Sequence, residues 1–165
     1  LPYSSGPTGV PKGTMLSHSN IMHNILQQSA PDGDFYTDDS VLISPLPMFH
    51  IYPLVLGLLF HLWRGTTYVS MSGPFSIAKF CDLVNQYKAT RAHVAPPIVL
   101  QLAKSDAVTV EKLSSLQMIV SAAAPLYANV EEECSARVGC PIKQCWGMSE
   151  LSPLALMVPD NKMRG

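Results

Sequence analysis

Five short runs rich in apolar and β-branched residues, Val41–Ser44, Thr66–Ser70, Ala92–Ala95, Leu116–Ser121 and Pro141–Cys145, are separated by stretches with other patterning. After the second run, Ile77, Phe80, Cys81, Val84 and Tyr87 recur at helical spacing, with Lys79, Asp82 and Gln86 on the opposite face. Leu126, Val130, Cys134 and Val138 form a second stripe, and Glu133 and Arg137 lie four residues apart, the spacing of a helical ion pair. Ser17 or Ser19 is placed to cap a helix carrying Ile21, Met22, Ile25 and Leu26. Strands alternating with amphipathic helices predict βαβ units, hence an α/β fold with a largely parallel sheet flanked by helices.

The most apolar stretch, residues 41–63, is long enough to cross a bilayer. Pro45, Pro47 and Pro53 interrupt it and His50 and His61 lie within it, so a strand, a turn and a buried helix are expected instead. A net charge of −1 gives no electrostatic case for nucleic acid or an anionic membrane surface. The four cysteines form no CxxC pair, and reduced thiols are expected. The chain lacks an initiator methionine and stops at Gly165 without a closing element, which reads as an internal piece of a longer protein.

Open parallel sheets bind ligands beyond the carboxyl ends of their strands. The segments to inspect are therefore Ser5–Gly13, Pro45–Tyr52, Ala95–Pro97, Ser121–Leu126 and Gln144–Glu150. In the first, Gly6, Gly9 and Gly13 permit tight curvature, while Ser4, Ser5, Thr8 and Lys12 supply hydroxyls and a cation. Its composition suits an anion cradle and an ordinary surface turn equally. It is not a Walker A loop, because Lys12 follows Pro11 and precedes Gly13. His50, between a strand and an apolar helix, either orients a carboxylate or phosphate or is a satisfied core residue. Trp146 offers a flat face for a purine, Ser149 a hydroxyl and Glu150 a hard oxygen for Mg²⁺, unless the stretch is a plain turn. Glu131 and Glu133 read as a solvated helix face. His18 and His23, five apart, do not make a zinc pair.

Taken in order, "YSSGPTGVPKG", "LPMFHIY", "SAAAPL" and "WGMSE" resemble the signature segments of the adenylate-forming enzymes: acyl-CoA synthetases, luciferases and peptide-synthetase adenylation domains. The connecting text, "APPIVLQLAKS" and "KLSSLQMIVSAAAPL", is most similar to 4-coumarate–CoA ligases. The resemblance implies that residues 1–165 are part of an AMP-binding domain, with a lysine-bearing C-terminal domain beyond Gly165. It implies activation of a small carboxylic acid by ATP with Mg²⁺ through an acyl-adenylate, then thioester formation with CoA. Luciferase-like, peptide-synthetase and non-catalytic nucleotide-binding relatives are the alternatives, and the cytoplasm or peroxisome is the expected compartment.

By position, the resemblance assigns Ser4, Ser5, Gly6, Pro7, Thr8, Gly9 and Lys12 to the loop that grips the ATP phosphates. It places His50 beside the acid carboxylate and Tyr52 in the acyl pocket. Ala123, Gln144, Cys145, Trp146, Ser149 and Met157 fall on adenylate-contacting positions, and Glu150 on the Mg²⁺-associated glutamate. His50, Ser149 and Glu150 are thus the expected catalytic residues. Pro7 stands where the family usually has threonine, Ala122 and Cys145 where it has glycine, and Val120 where plant 4-coumarate ligases commonly carry lysine.

Overall fold

The computed structural model describes residues 1–4, 9–29 and 36–158. Ser5, Gly6, Pro7 and Thr8, assigned above to the phosphate loop, lie outside the described residues.

A two-stranded antiparallel hairpin opens the chain, β1 (Tyr3–Ser4) and β2 (Lys12–Gly13), with Ser4 opposite Lys12. Helix α1 (His18–Ser29) follows. Ser17 caps it, its Oγ accepting from the Asn20 N–H at 3.1 Å while the Asn20 amide oxygen accepts from the Ser17 N–H at 3.0 Å. The main sheet contains β3 (Val41–Ser44), β4 (Thr67–Ser70), β5 (Arg91–Val94), β6 (Met118–Ser121), β7 (Ile142–Gly147) and β8 (Leu154–Met157). Their spatial order is β4-β3-β5-β6-β7-β8, all parallel except the antiparallel β7–β8 pair. The expected α/β architecture is present. The expected strand Pro141–Cys145 runs two residues further, because pairing with β8 carries β7 on to Gly147, into the segment Gln144–Glu150 singled out for inspection.

The proline-interrupted segment resolves into strand β3, a turn, and a helix. That helix opens as a wide π-helical stretch, Tyr52–Leu59, and tightens into α2 (Phe60–Arg64). Pro53 sits in its first turn, where a missing N–H leaves no bond unmade. Gly57 lets the π-helical stretch lie against β4, since a Cβ there would meet the Tyr68 ring at 2.9 Å. Among the described residues, no helix is long and apolar enough to cross a membrane.

Helices α3 (Ile77–Tyr87), α4 (Pro96–Lys104) and α5 (Ala128–Val138) complete the crossovers between parallel strands. They cover one face of the sheet, burying Phe80, Val84, Val99, Leu102 and Cys134 against Ile43, Ala92, Ile119 and Ile142. The other face buries Ile25 of α1, Tyr36, Tyr52, Val55 and Phe60 against Met118, Val120 and Ala122. Central strands covered on both sides read as unbroken apolar runs, which is why β6 is buried at all four positions. The cysteines are free thiols. Burial pushes Cys134 up to about 12 and Cys140 up to about 11, which leaves both as inert core residues.

The expected Glu133–Arg137 pair does not form. Glu133 meets Lys104 of α4 at 2.5 Å, and Arg137 donates to the carbonyls of Ala103 (2.7 Å), Ser105 (2.9 Å) and Val108 (3.3 Å). The guanidinium thus satisfies the carboxyl end of a neighbouring helix, where helix carbonyls lack partners of their own. Replacing Arg137 by methionine keeps the stem and orphans these acceptors. The full-length protein is expected to lose about 2 kcal/mol of stability, read from the shift in denaturant midpoint.

Candidate functional site

The carboxyl ends of β6 and β7, the β3–helix turn and hairpin β1–β2 meet around a cavity of about 610 Å³. Eight of the sequence-selected residues line it: Ser4, His50, Tyr52, Ala123, Cys145, Trp146, Ser149 and Glu150. A second cavity of about 820 Å³ lies alongside, lined by Ala123, Gln144, Cys145, Trp146 and Met157 together with Leu156. Ala123, Cys145, Trp146 and Gly147 belong to both linings and form a common wall. Gly9 and Lys12 line neither. Gly9 takes the left-handed conformation (φ 75°) in the loop beyond, and Lys12 sits across the hairpin from Ser4, exposed.

Each polar group has an identifiable placement. The Ser4 hydroxyl donates to Glu150 Oε1 at 3.5 Å, a long contact that joins the first motif to the last. Glu150 lies in a single 3-10 turn, Ser149–Leu151, directly after β7 and the loop residue Met148. His50 Nδ1 accepts from the Tyr52 N–H at 3.1 Å. This fixes the tautomer, so Nε2 carries the proton and acts as the ring's donor. Partial burial lowers the His50 pKa, so the ring at neutral pH is an uncharged donor. The Tyr52 hydroxyl donates to the Val120 carbonyl at 3.2 Å, and burial raises its pKa well above that of free tyrosine. Trp146 is 54% exposed, enough for one ring face to take a planar partner.

Ala123 has φ 75°, a left-handed backbone that costs a non-glycine residue on the order of 1 kcal/mol. That twist turns the chain sharply after β6 and puts exposed small residues against both cavities. Gln144 is held by Glu131, whose Oε2 accepts from the Gln144 amide. Glu131 therefore supports the wall rather than being only a solvated helix residue. The Ala95–Pro97 segment contributes to neither cavity, because α4 starts immediately at Pro96.

Sequence reasoning overlooked Tyr3, Leu56, Pro153 and Leu154, all of which line the first cavity. It also overlooked Asn24, buried in α1, which clamps the start of β8. Asn24 Nδ2 donates to the Leu154 carbonyl at 2.8 Å, and its oxygen accepts from the Leu154 N–H at 3.1 Å. An amide inside the apolar stripe Ile21–Ile25 was the available signal, since a buried amide needs partners.

Behind Tyr52 lies a buried aromatic layer. His93 stacks on Tyr52 with ring centroids 5.5 Å apart and planes 21° apart, and its Nε2 shares a 2.8 Å hydrogen bond with the Tyr36 hydroxyl. His61 bonds Thr66 Oγ1 through Nδ1 at 2.6 Å. Burial lowers His61 to about 4 and His93 to about 3, each assisted by a nearby positive charge or second imidazole. With folded values below the ordinary 6.5, the unfolded chain binds more protons between those values. The stabilisation is complete above pH ~6.5 and is lost as pH falls toward 4 and then 3, at about 1.4 kcal/mol per pH unit per histidine. Denaturant midpoints measured down this range are expected to fall, and to fall less steeply in His61→Phe.

Among the described residues, no cluster of three or more His, Cys, Asp or Glu could hold a metal ion. What the site offers a divalent cation is the exposed Glu150 carboxylate beside the Ser4 hydroxyl.

A family model described as "AMP-binding enzyme" matches residues 1–165. The chain is 40% identical to 4-coumarate–CoA ligase 3 of Oryza sativa subsp. japonica over 162 residues, covering 95% of this chain and 29% of that protein. It is also 40% identical to 4-coumarate–CoA ligase of Pinus taeda over 161 residues, with 95% and 30% covered. The chain thus spans under a third of these relatives. Among solved structures, ATP-bound MatB from Rhodopseudomonas palustris superposes with a TM-score of 0.85 at 30% identity, covering 98% of this chain and 31% of that one. A malonyl-CoA ligase in a ternary product complex with methylmalonyl-CoA and AMP gives 0.85 at 27% identity, with 99% and 35% covered. With that family model matched along its whole length, the chain belongs to the AMP-binding enzyme family.

Proposed function

We propose that the protein carrying this chain activates a carboxylic acid with ATP, forming an acyl-adenylate and pyrophosphate, and then transfers the acyl group to the thiol of CoA. The observation that carries this reading is the wall shared by the two cavities. An acyl-adenylate is an acid and a nucleotide joined through one phosphate, and it needs two adjoining compartments that meet at a polar centre.

The second cavity takes the adenine, with Trp146 stacking on the base and Ala123, Gln144 and Met157 around it. The first takes the acid, whose carboxylate approaches the α-phosphorus near Ser149 and Glu150. His50, uncharged and donating through Nε2, steadies the carboxylate without neutralising it as a nucleophile. Tyr52 and Leu56 line the space for the acyl group. Ser4 and Lys12, with Ser5, Gly6, Pro7, Thr8 and Gly9, hold the β- and γ-phosphates. Proton transfer has no large part in adenylation, so positioning and charge stabilisation supply the rate. Glu150, with phosphate oxygens and water, suits Mg²⁺, which usually takes only one or two protein carboxylates and would neutralise phosphate charge. The lysine-bearing C-terminal domain belongs to the same proposal.

The test is ATP–pyrophosphate exchange by the full-length protein with a panel of carboxylic acids, followed by acyl-CoA formation. Acid-dependent exchange with thioester product is expected. Exchange without thioester would redirect the reading to a luciferase-like or peptide-synthetase enzyme, and no exchange with any acid would defeat it. In the same assay Lys12→Ala is expected to slow exchange about tenfold, chiefly through a higher KM for ATP. Unchanged kinetics would remove Lys12 from the phosphate site.

A further inference from the structure

Tyr52 closes the first cavity on its inner side with a side chain only 4% exposed, and two contacts hold it there. Its hydroxyl is tied to the Val120 carbonyl. Its ring lies flat on His93, which is 1% exposed and belongs to the central strand β5. His93 is in turn anchored to Tyr36, whose ring packs on Phe60 at 4.8 Å and on His61 at 5.1 Å. The backbone carbonyl of Tyr36 accepts from the Arg64 guanidinium.

Stability alone does not account for a histidine at this position. Among the described residues, buried His93 Nδ1 has no hydrogen-bond partner, a desolvation cost that an apolar side chain of similar shape would avoid. What the imidazole adds over an apolar ring is the Tyr36 bond, which fixes the plane of the surface against which Tyr52 stacks. We infer that His93, oriented by Tyr36, is a positioning residue that sets the depth of the acid cavity by preventing the Tyr52 ring from receding. The inference rests on the ligase reading of that cavity. It names a determinant of acyl length one layer behind the cavity lining and outside the second cavity, to whose lining neither Tyr52 nor His93 contributes.

The experiment is ATP–pyrophosphate exchange by the full-length protein with two graded series. One runs through butanoate, hexanoate, octanoate, decanoate and dodecanoate; the other compares cinnamate with its chain-extended homologue 5-phenylpenta-2,4-dienoate. In His93→Ala the Tyr52 ring has room to move back, so kcat/KM for longer acids relative to shorter ones is expected to rise about tenfold, the scale of one added methylene in a fitted pocket. The KM for ATP is expected to stay within about twofold of the parent. His93→Phe, which refills the space without the Tyr36 bond, is expected to restore the parental length profile while raising the acid KM about threefold. A folded His93→Ala protein with the parental profile, or one in which both substrates' KM values rise together, overturns the inference.

If His93→Ala does not fold, Tyr36→Phe carries the test, since it keeps the ring and removes only the hydroxyl that anchors His93. An acid KM raised about threefold with ATP KM unchanged is expected, and a parental acid KM overturns the inference. A parent protein inactive with every acid defeats the ligase reading and this inference with it. An active parent with unaltered variants defeats this inference alone.

Discussion

Gly147→Ala is expected to cost the full-length protein about 3 kcal/mol or more of stability and to reduce pyrophosphate exchange at least a hundredfold. A Cβ at this position would lie 2.1 Å from the Pro153 carbonyl oxygen, 2.9 Å from its carbonyl carbon and 3.2 Å from Leu154 Cα. All three are backbone atoms, so no side chain can rotate away to make room. The β7–β8 register also shifts between Trp146 and Gly147, and the Met148 N–H donates to that same Pro153 oxygen at 3.0 Å. Relief therefore requires β8 to separate from β7. That moves Leu154 out of the first cavity and Leu156 and Met157 out of the second, and it pulls against the Asn24 clamp. Thermal melting and exchange kinetics on one preparation check this. A variant that melts and turns over like the parent would show that the two strands are not packed as described.

Glu150→Gln is expected to have the largest effect that leaves the fold intact: exchange slowed by roughly two to three orders of magnitude, the scale seen when a charge-stabilising group is removed from a reacting centre. Glutamine preserves shape and one acceptor oxygen but removes the negative charge that the proposed Mg²⁺ role requires. Glu150 is exposed, and its contact with Ser4 is long, so the melting temperature is expected to stay within a degree or two of the parent's. The Mg²⁺ concentration giving half-maximal exchange is expected to rise as well. Parental exchange at parental Mg²⁺ dependence would remove Glu150 from the reaction.

How much of this was legible beforehand depends on whether a residue's role was local. Strands β3, β5 and β6 are covered on both faces, so they appear as apolar runs that need no tertiary information. Helices α3 and α5 show their stripes because one side of each meets the sheet. Strand β8 gave no such pattern: Leu154–Met157 is partly or wholly exposed throughout and, among the described residues, pairs on one side only. Without β8 as a partner in view, the expected strand ends at Cys145, two residues short of β7's end at Gly147.

Arg137 and Glu131 failed for a related reason. Helical spacing suggested partners on their own helix or in solvent, whereas their actual partners are the end of α4 and the wall residue Gln144. The site residues were found from motifs in a fixed order, and of those described, Ser4, His50, Tyr52, Ala123, Cys145, Trp146, Ser149 and Glu150 converge. The supporting residues Asn24, Tyr36 and His93 carry no motif. Only the sheet register and the alternation of faces along β5 bring His93 behind Tyr52.

The wall common to both cavities has a consequence for how this scaffold could acquire new substrates. Any change at Ala123, Cys145 or Trp146 that reshapes the cavity proposed for the acid also reshapes the one proposed for the base. Variation there is therefore pleiotropic, improving one substrate while disturbing the other. Tyr52 and Leu56 border the first compartment alone. On the proposed assignment, divergence, whether by natural drift or in the laboratory, has its freest route through the π-helical stretch that carries those two side chains, where acid preference can wander while the proposed nucleotide cavity is inherited unchanged.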